Sequence, residues 1–216
     1  MKLVVPTVTA KESHAYRSQM DLVASISNFV HVDLSSPAFN RASPLLDFRS
    51  AYLEDILDSS VHLMYQQPLD AVQYFLDLTP LPKMIILQVE SDSIEVLESI
   101  KLIKDSGVLL GLALLQDSKT EEYSSLIKMA DQVVIFSGNL GEQTGIADLS
   151  LTSKVTELKK IKPELEIAWD GGINKQNIEQ LSKAGVDIFY VGGAIHKSTD
   201  PAFEVRELQA LAESVA

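Results

Sequence analysis

The chain of 216 residues contains no cysteine. This absence excludes disulfide bonds, thiolate zinc sites and cysteine nucleophiles, so its chemistry must use oxygen and nitrogen side chains. A chain without cysteine also agrees with a reducing compartment, and we expect a cytoplasmic location. The first residues, MKLVVPTVTAKES, agree with that expectation, because their apolar run is too short for a secretory signal and Pro6 interrupts it.

Basic residues and long hydrophobic runs are also scarce. The chain has 18 Lys and Arg against 30 Asp and Glu, a formal net charge of -12. Such a chain offers no basic stripe for the phosphates of a nucleic acid, so we expect no nucleic-acid partner. No apolar stretch approaches the ~20 residues that cross a bilayer, so we expect no membrane partner either.

What the sequence does have is an alternation of short apolar runs with amphipathic segments, repeated eight times. The runs are residues 3–6, 29–34, 61–65, 84–89, 108–115, 132–136, 166–170 and 188–193. They are continuous rather than alternating, as in parallel strands covered by helices. Eight such units without an intervening linker predict a single-domain (β/α)8 TIM barrel over residues 1–216. A doubly wound open sheet is the alternative, but no G-x-G-x-x-G follows the first run.

Two of the amphipathic segments carry specific helix predictions. The segment LLDFRSAYLEDIL, residues 45–57, is expected to form the helix after the second strand. In residues 93–107 an apolar stripe at Ile94, Leu97, Ile100 and Leu102 predicts a helix that Gly107 ends.

Polar residues fall at the carboxyl ends of several predicted strands, where the active site of such a barrel lies. His31 and Asp33 are two apart on one strand and share a face, His62 lies in the third strand, and Asp170 ends the seventh. Taken singly, each can be a hydrogen-bonded core residue or a helix cap. Together they offer imidazole and carboxylate ligands to one divalent metal ion such as Zn, Fe, Mn or Co.

Paired glycines follow the last two strands. Gly171 and Gly172 lie in DGGIN, and Gly192 and Gly193 lie in YVGGAIH. The loops after strands seven and eight are the common phosphate site of this fold, so the pairs predict a phosphorylated ligand. The plainer alternative is that they only make tight turns.

At these residues the sequence resembles the ribulose-phosphate 3-epimerase family. The stretches that carry the resemblance are VVPTV, VHVDL, VHLMYQQP, GLAL and WDGGINKQNIEQLSKAGVDIFYVGGAI. It implies one divalent metal held by His31, Asp33, His62 and Asp170, with the two aspartates as the acid/base pair. It also implies that substrate is bound by Thr7, His62, Met64, Asn139, Gly141 and the glycine pairs.

The sequence departs from the family pattern in three loops. Ser35, Ser36 and Pro37 follow the His-x-Asp motif where the family has Met-Asp-Gly, and Leu115 and Gln116 stand where it has Asn-Pro. Glu142 replaces a glycine of the loop after the sixth strand.

The expected activity is 3-epimerisation of a ketose phosphate, interconverting ribulose 5-phosphate and xylulose 5-phosphate through an ene-diolate. The alternatives are another sugar phosphate, such as allulose 6-phosphate, and a non-catalytic barrel that binds a phosphorylated ligand. Related decarboxylase and aldolase-like barrels use an Asp-x-Lys-x-x-Asp arrangement that is missing here. By analogy we expect a homo-oligomer, and we expect His14 and His196 at the surface.

Overall fold

The structure, a computed structural model, describes residues 2–138, 140 and 145–214. Eight parallel strands close into a barrel in chain order, with the last strand paired to the first. The strands are β1 Leu3–Thr9, β2 Phe29–Ser35, β3 Asp58–Met64, β4 Met84–Gln88, β5 Leu109–Leu114, β6 Gln132–Phe136, β7 Glu166–Asp170 and β8 Ile188–Val191. The predicted (β/α)8 barrel is confirmed. The assignment of all residues 1–216 to one domain stays a prediction.

Helices surround the barrel and connect its strands. They are α1 Ser13–Ile26, α2 Leu69–Leu76, α3 Ser93–Ser106, α4 Ser124–Ile127, α5 Ser153–Ile161, α6 Ile178–Ala184, α7 Gly193–His196 and α8 Pro201–Glu213. Gly107 ends α3 in the left-handed conformation at φ 79°, as predicted. No helix among the described residues is both long and apolar enough to cross a membrane.

Apolar side chains form two layers, because successive residues of a strand point to opposite faces. The larger layer lies between the strands and the helices and contains Trp169 and Phe75. The smaller one fills the barrel interior with Val5, Met84, Ile86, Ala113, Val134, Ala168, Ile188 and Tyr190. Packing there is tight, since a Cβ added to Gly111 would lie 2.4 Å from Cγ1 of Ile86. The interior among the described residues is therefore a filled core, as is usual for this fold.

The prediction of a helix over residues 45–57 is wrong. Only a 3₁₀ turn, Phe48–Ser50, forms there, and the rest of the segment is irregular. The backbone N–H of Leu45 donates to Oγ of Ser35 at 2.8 Å, and the N–H of Phe48 donates to the Tyr65 hydroxyl at 3.0 Å. These tertiary contacts and the burial of the apolar residues override the local helical pattern.

The face that α3 buries also differs from the predicted stripe. Ile94 and Leu97 are 68% and 53% exposed, whereas Val96, Ile100 and Ile103 are buried. The buried three are spaced i, i+4, i+7 and form the true inner stripe. Apolar residues occur on both sides of this helix, so their period alone did not identify the inner face.

Candidate active site and metal centre

The four predicted metal ligands come together at the carboxyl ends of three strands. His31 and Asp33 point inward from β2, His62 from β3 and Asp170 from β7. Asp33 is the register partner of His62, which places these two side chains next to each other. One ligand atom from each residue lies within 4.8 Å of the others, and all four residues are buried.

Asp33 is the hub of the cluster. Its Oδ1 lies 3.3 Å from Nε2 of His31 and 3.1 Å from Nδ1 of His62. Its Oδ2 accepts a hydrogen bond from the Thr9 hydroxyl at 2.8 Å. The carboxylate predicted to need a buried partner therefore has three polar neighbours.

The two carboxyls of the cluster have opposite protonation tendencies. Burial acts to raise the pKa of Asp33, but the neighbouring His31 and His62 outweigh it and hold that pKa well below its ordinary value. Burial, and next the charge of Asp33, raise the pKa of Asp170 well above its ordinary value. Burial also lowers the pKa of His31, although Asp33 opposes this. The cluster thus contains one acidic carboxyl, that of Asp33, and one carboxyl that favours its protonated form, that of Asp170.

The Gln88 amide determines which nitrogen of His62 carries the proton. With its oxygen 3.0 Å from Nε2 of His62, the amide nitrogen donates to Oε2 of Glu90 at 2.7 Å and to the Ala113 carbonyl at 3.2 Å. We assign this orientation because the reverse one would place the amide oxygen against two acceptors. Nε2 of His62 then carries the proton, and the bare Nδ1 faces Asp33.

A cation fits between these groups. Within the described part of the chain, Nε2 of His31 has no hydrogen-bond partner although it is fully buried. This atom and Nδ1 of His62 lie 3.3 Å and 3.1 Å from Oδ1 of Asp33, and an ionised carboxylate oxygen is only an acceptor. Two imidazoles and two carboxylates are a mixed donor set suited to Zn, Fe, Mn or Co.

A cavity of about 320 Å³ opens above the cluster. Asp33 and Asp170 form part of its lining. The cavity is also lined by six of the predicted substrate residues: Thr7, Met64, Gly171, Gly172, Gly192 and Gly193. His62 is buried beneath it. The predicted substrate residues Asn139 and Gly141, and Glu142 beside them, lie outside the described residues. The volume suits a small ligand.

The first glycine pair has no room for side chains. Gly171 and Gly172 have φ of +107° and +71°, a region that residues with a Cβ rarely adopt. A Cβ on Gly171 would lie 2.2 Å from the backbone N of Gly138, and one on Gly172 would lie 2.1 Å from that of Ala147. Glycine here lets the loops after β6 and β7 approach within backbone contact at the cavity wall.

Sequence reasoning missed several residues that line the cavity. Thr9, Phe136, Tyr190 and Lys197 belong to its wall. Strand alternation was the signal for Thr9, which shares a face with Thr7. Lys197 is the only Lys or Arg among the described lining residues, and its place four residues after Gly193 was the available signal.

Two residues that depart from the family pattern hold loops beside the cavity. Ser35 accepts the N–H of Leu45, a cavity-lining residue, at 2.8 Å. Nε2 of Gln116 donates to the carbonyls of Ser137 and Gly138, each at 3.2 Å.

The two remaining histidines lie in different surroundings. His196 is half-buried rather than at the surface, and its Nε2 lies 2.7 Å from the Thr7 carbonyl, to which it donates. His14 is exposed as predicted. His196, the last residue of α7, is thus hydrogen-bonded to the strand β1, which carries Thr7.

Comparison of the sequence with known proteins identifies one family. Residues 3–196 match the model of the ribulose-phosphate 3 epimerase family. The ribulose-phosphate 3-epimerase of Helicobacter pylori is 31% identical over 205 residues, covering 90% of this chain and 92% of that protein.

Solved structures with the same fold include two enzymes with other names. One is 3-keto-L-gulonate-6-phosphate decarboxylase from Vibrio cholerae, with a TM-score of 0.75 and 10% identity, covering 100% of this chain and 99% of that one. The other is 3-hexulose-6-phosphate synthase from Salmonella typhimurium, with a TM-score of 0.72 and 17% identity over 100% of both chains. At such identities these structures establish the fold alone.

Proposed function

The chain belongs to the ribulose-phosphate 3-epimerase family, and we propose that it is a metal-dependent isomerase that inverts the carbon beside the ketone of a ketose phosphate. The substrate pair we favour is ribulose 5-phosphate and xylulose 5-phosphate. One observation carries the proposal: two imidazoles and two carboxylates converge within 4.8 Å at the floor of a single small cavity.

The two carboxylates suit the chemistry of inversion. Inversion removes a proton from one face of a carbon and delivers a proton to the other, so two proton-transfer groups are needed. Asp33 comes from β2 and Asp170 from β7, and β1 and β8 separate these strands. The two groups therefore approach the cavity from different sides.

In the proposed reaction one aspartate takes the proton from C3, and the electrons of the C–H bond move into an ene-diolate. The other aspartate gives its proton to the opposite face of C3 and so inverts it. The reverse reaction exchanges the two roles. The Thr9 hydroxyl holds Asp33 in position through Oδ2.

His31, Asp33, His62 and Asp170 would hold the divalent ion. When bound, such an ion supplies a Lewis acid that stabilises the negative charge of the ene-diolate oxygens. Gln88 orients His62 for this role through Nε2, as partners outside the ligand set commonly do.

The glycine loops suit the phosphate group. Gly171, Gly172, Gly192, Gly193 and Lys197 all line the cavity, so backbone N–H groups and one positive charge are available for a phosphate. Thr7 and Met64 would contact the sugar from β1 and β3. We further propose that Asn139 and Gly141 contribute from the loop after β6.

A second candidate substrate follows from the walls that depart from the family pattern. Ser35 is smaller than the family's methionine and is used to hold Leu45. The altered wall favours testing a longer ketose phosphate such as allulose 6-phosphate.

The test combines metal analysis with a coupled assay. We expect the purified protein to hold, or take up, one of Zn, Mn, Fe or Co and to epimerise ribulose 5-phosphate. Asp33→Asn and Asp170→Asn should abolish turnover and keep the fold by circular dichroism, while Asp105→Asn, an exposed control, should leave turnover unchanged. A protein that takes up none of these ions would overturn the proposal. Turnover of allulose 6-phosphate but not of ribulose 5-phosphate would identify allulose 6-phosphate as the substrate. Full activity of Asp33→Asn would favour a non-catalytic role for the cluster.

A further inference from the structure

The turn that follows β5 is anchored at both of its ends. The N–H of Ser118 donates to the Leu115 carbonyl at 3.2 Å, which closes a turn with Gln116 and Asp117 at its centre. Nζ of Lys154, a buried lysine of α5, donates to the carbonyls of Leu115 at 2.9 Å and Ser118 at 2.7 Å. One ammonium group therefore joins the first and last residues of the turn.

Glu90, which follows β4, holds the same two residues through their donors. Its Oε1 accepts the N–H of Leu115 at 2.9 Å and also the hydroxyl of Ser118. Lys154 thus binds the carbonyls of Leu115 and Ser118, while Glu90 binds their N–H and O–H groups. A turn held in this way from two neighbouring loops presents its central residues at a fixed place.

Gln116 is the residue of this turn that reaches the loop after β6. Its Nε2 donates to the carbonyls of Ser137 and Gly138, each at 3.2 Å. The N–H of Ser137 donates to the Asp170 carbonyl at 2.7 Å, and its Oγ accepts the N–H of Asp148 at 2.7 Å. Gln116 therefore binds the loop at Ser137, where the chain leaves the barrel and where Asp148 brings it back.

Gly138 connects this hydrogen bond to the cavity wall. It lines the cavity, and its backbone lies so close to Gly171 that a Cβ on Gly171 would be 2.2 Å from the N of Gly138. A shift of Gly138 must therefore move Gly171 or open a gap beside it. Gln116 itself is absent from the described lining residues, so it acts through Gly138 rather than by touching a ligand.

We propose that Gln116 is a positioning residue for the glycine wall that receives the phosphate of the substrate, with Lys154 and Glu90 anchoring the turn that carries it. The inference deepens the proposed function and rests on its phosphorylated substrate. It also gives a role to a departure from the family pattern. Gln116 stands where the family has proline, and a proline side chain has no N–H with which to hold the loop.

The decisive variant is Gln116→Met, which keeps the length of the side chain and removes the donor. We expect the dissociation constant of inorganic phosphate, measured by calorimetry, and the KM for ribulose 5-phosphate to rise together by about two- to tenfold, the effect of one net hydrogen bond. The kcat should stay within about twofold of the wild type, because Gln116 binds only loop backbone. The urea midpoint should not change, since the residue is exposed.

A matched control and a second variant complete the test. Gln73→Met makes the same substitution at an exposed glutamine of α2, whose Nε2 donates to Oδ1 of Asp77 at 3.1 Å. It should leave the phosphate affinity and the KM unchanged. Lys154→Met keeps Gln116 but removes the anchor of its turn, so it should raise both constants in the same direction. Because Lys154 is buried, this variant should also lower the urea midpoint.

The outcomes separate this inference from the proposed function. A wild type that binds phosphate but epimerises no ketose phosphate contradicts the proposed function, and the phosphate affinities of the variants still judge the role of Gln116. A phosphate affinity that is unchanged in Gln116→Met overturns the inference. So does a wild type that binds no phosphate, or a Gln116→Met variant whose kcat falls while its KM stays at the wild-type value.

Discussion

Two glycines with similar positive φ angles test how the cavity wall is built. Gly172, beside the cavity, has φ +71°, and Gly107, at the end of α3, has φ +79°. A Cβ on Gly172 would lie 2.1 Å from the Ala147 backbone N and 2.5 Å from the Ile146 carbonyl carbon. A Cβ on Gly107 would meet no heavy atom within 4 Å. The two alanine variants therefore share the conformational strain and differ in the clash.

The expected magnitudes follow from that difference. An alanine in the left-handed region costs about 1–2 kcal/mol, so Gly107→Ala should lower the free energy of unfolding by about that amount. Gly172→Ala adds a clash with backbone atoms that cannot rotate away, and overpacking typically costs about 1–3 kcal/mol more. Its total loss should reach about 2–5 kcal/mol. Because relief requires the loop around Ala147 to move, the KM for the ketose phosphate should also rise.

Urea unfolding of the two variants and the wild type, followed by circular dichroism, measures the stabilities, and the coupled assay measures KM. Gly107→Ala should keep the wild-type KM, since it lies outside the cavity lining. Equal stabilities of the two variants, together with an unchanged KM in Gly172→Ala, would refute the reasoning from backbone contact.

Three further substitutions test the cavity and its supports. Lys197→Met should raise the KM of the phosphorylated substrate a few fold, because an exposed charge pair is worth about 1 kcal/mol. It should also weaken the dependence of KM on salt. Lys128→Met, a control at another exposed lysine, should change neither the KM nor its salt dependence. Gln88→Leu should weaken zinc binding about 10- to 100-fold in chelator competition, and an unaltered affinity would contradict the amide orientation assigned beside His62. Ser35→Ala leaves a buried backbone N–H without its acceptor and should lower the free energy of unfolding by about 1–3 kcal/mol, measured by urea unfolding. A variant as stable as the wild type would show that this hydrogen bond contributes nothing.

The strands and the ends of several helices could be predicted from the sequence because their signals are local. The apolar runs at 132–136 and 166–170 coincide with β6 and β7, and Gly107 ends α3 as its conformational freedom predicts. The convergence of His31 and Asp33 with His62 also follows from local rules. Alternation along β2 and the carboxyl-end rule of the barrel are sufficient to bring them together.

What could not be predicted depends on contacts between segments far apart in the chain. The irregular course of residues 45–57 is fixed by the hydrogen bonds to Ser35 and Tyr65, which no local pattern records. Tyr190 and Gln132 are 58 positions apart and meet only across the barrel interior. In the sequence each is a single polar residue in an apolar strand, and the register that pairs them is a property of the closed barrel.

The charges at the cavity floor support the divalent ion of the proposed function. Asp33 and Asp170 place two acidic groups within 4.8 Å in a buried pocket. Among the described lining residues the only cationic side chain is Lys197, which is exposed. Leaving two buried carboxylates ionised would cost several kcal/mol each, so without a cation one of them takes a proton, as the raised pKa of Asp170 indicates. In the proposed function, an ion of charge two held by the four residues would offset the negative charge of the aspartates and of the ene-diolate, so that either aspartate could be ionised while the other carries the proton.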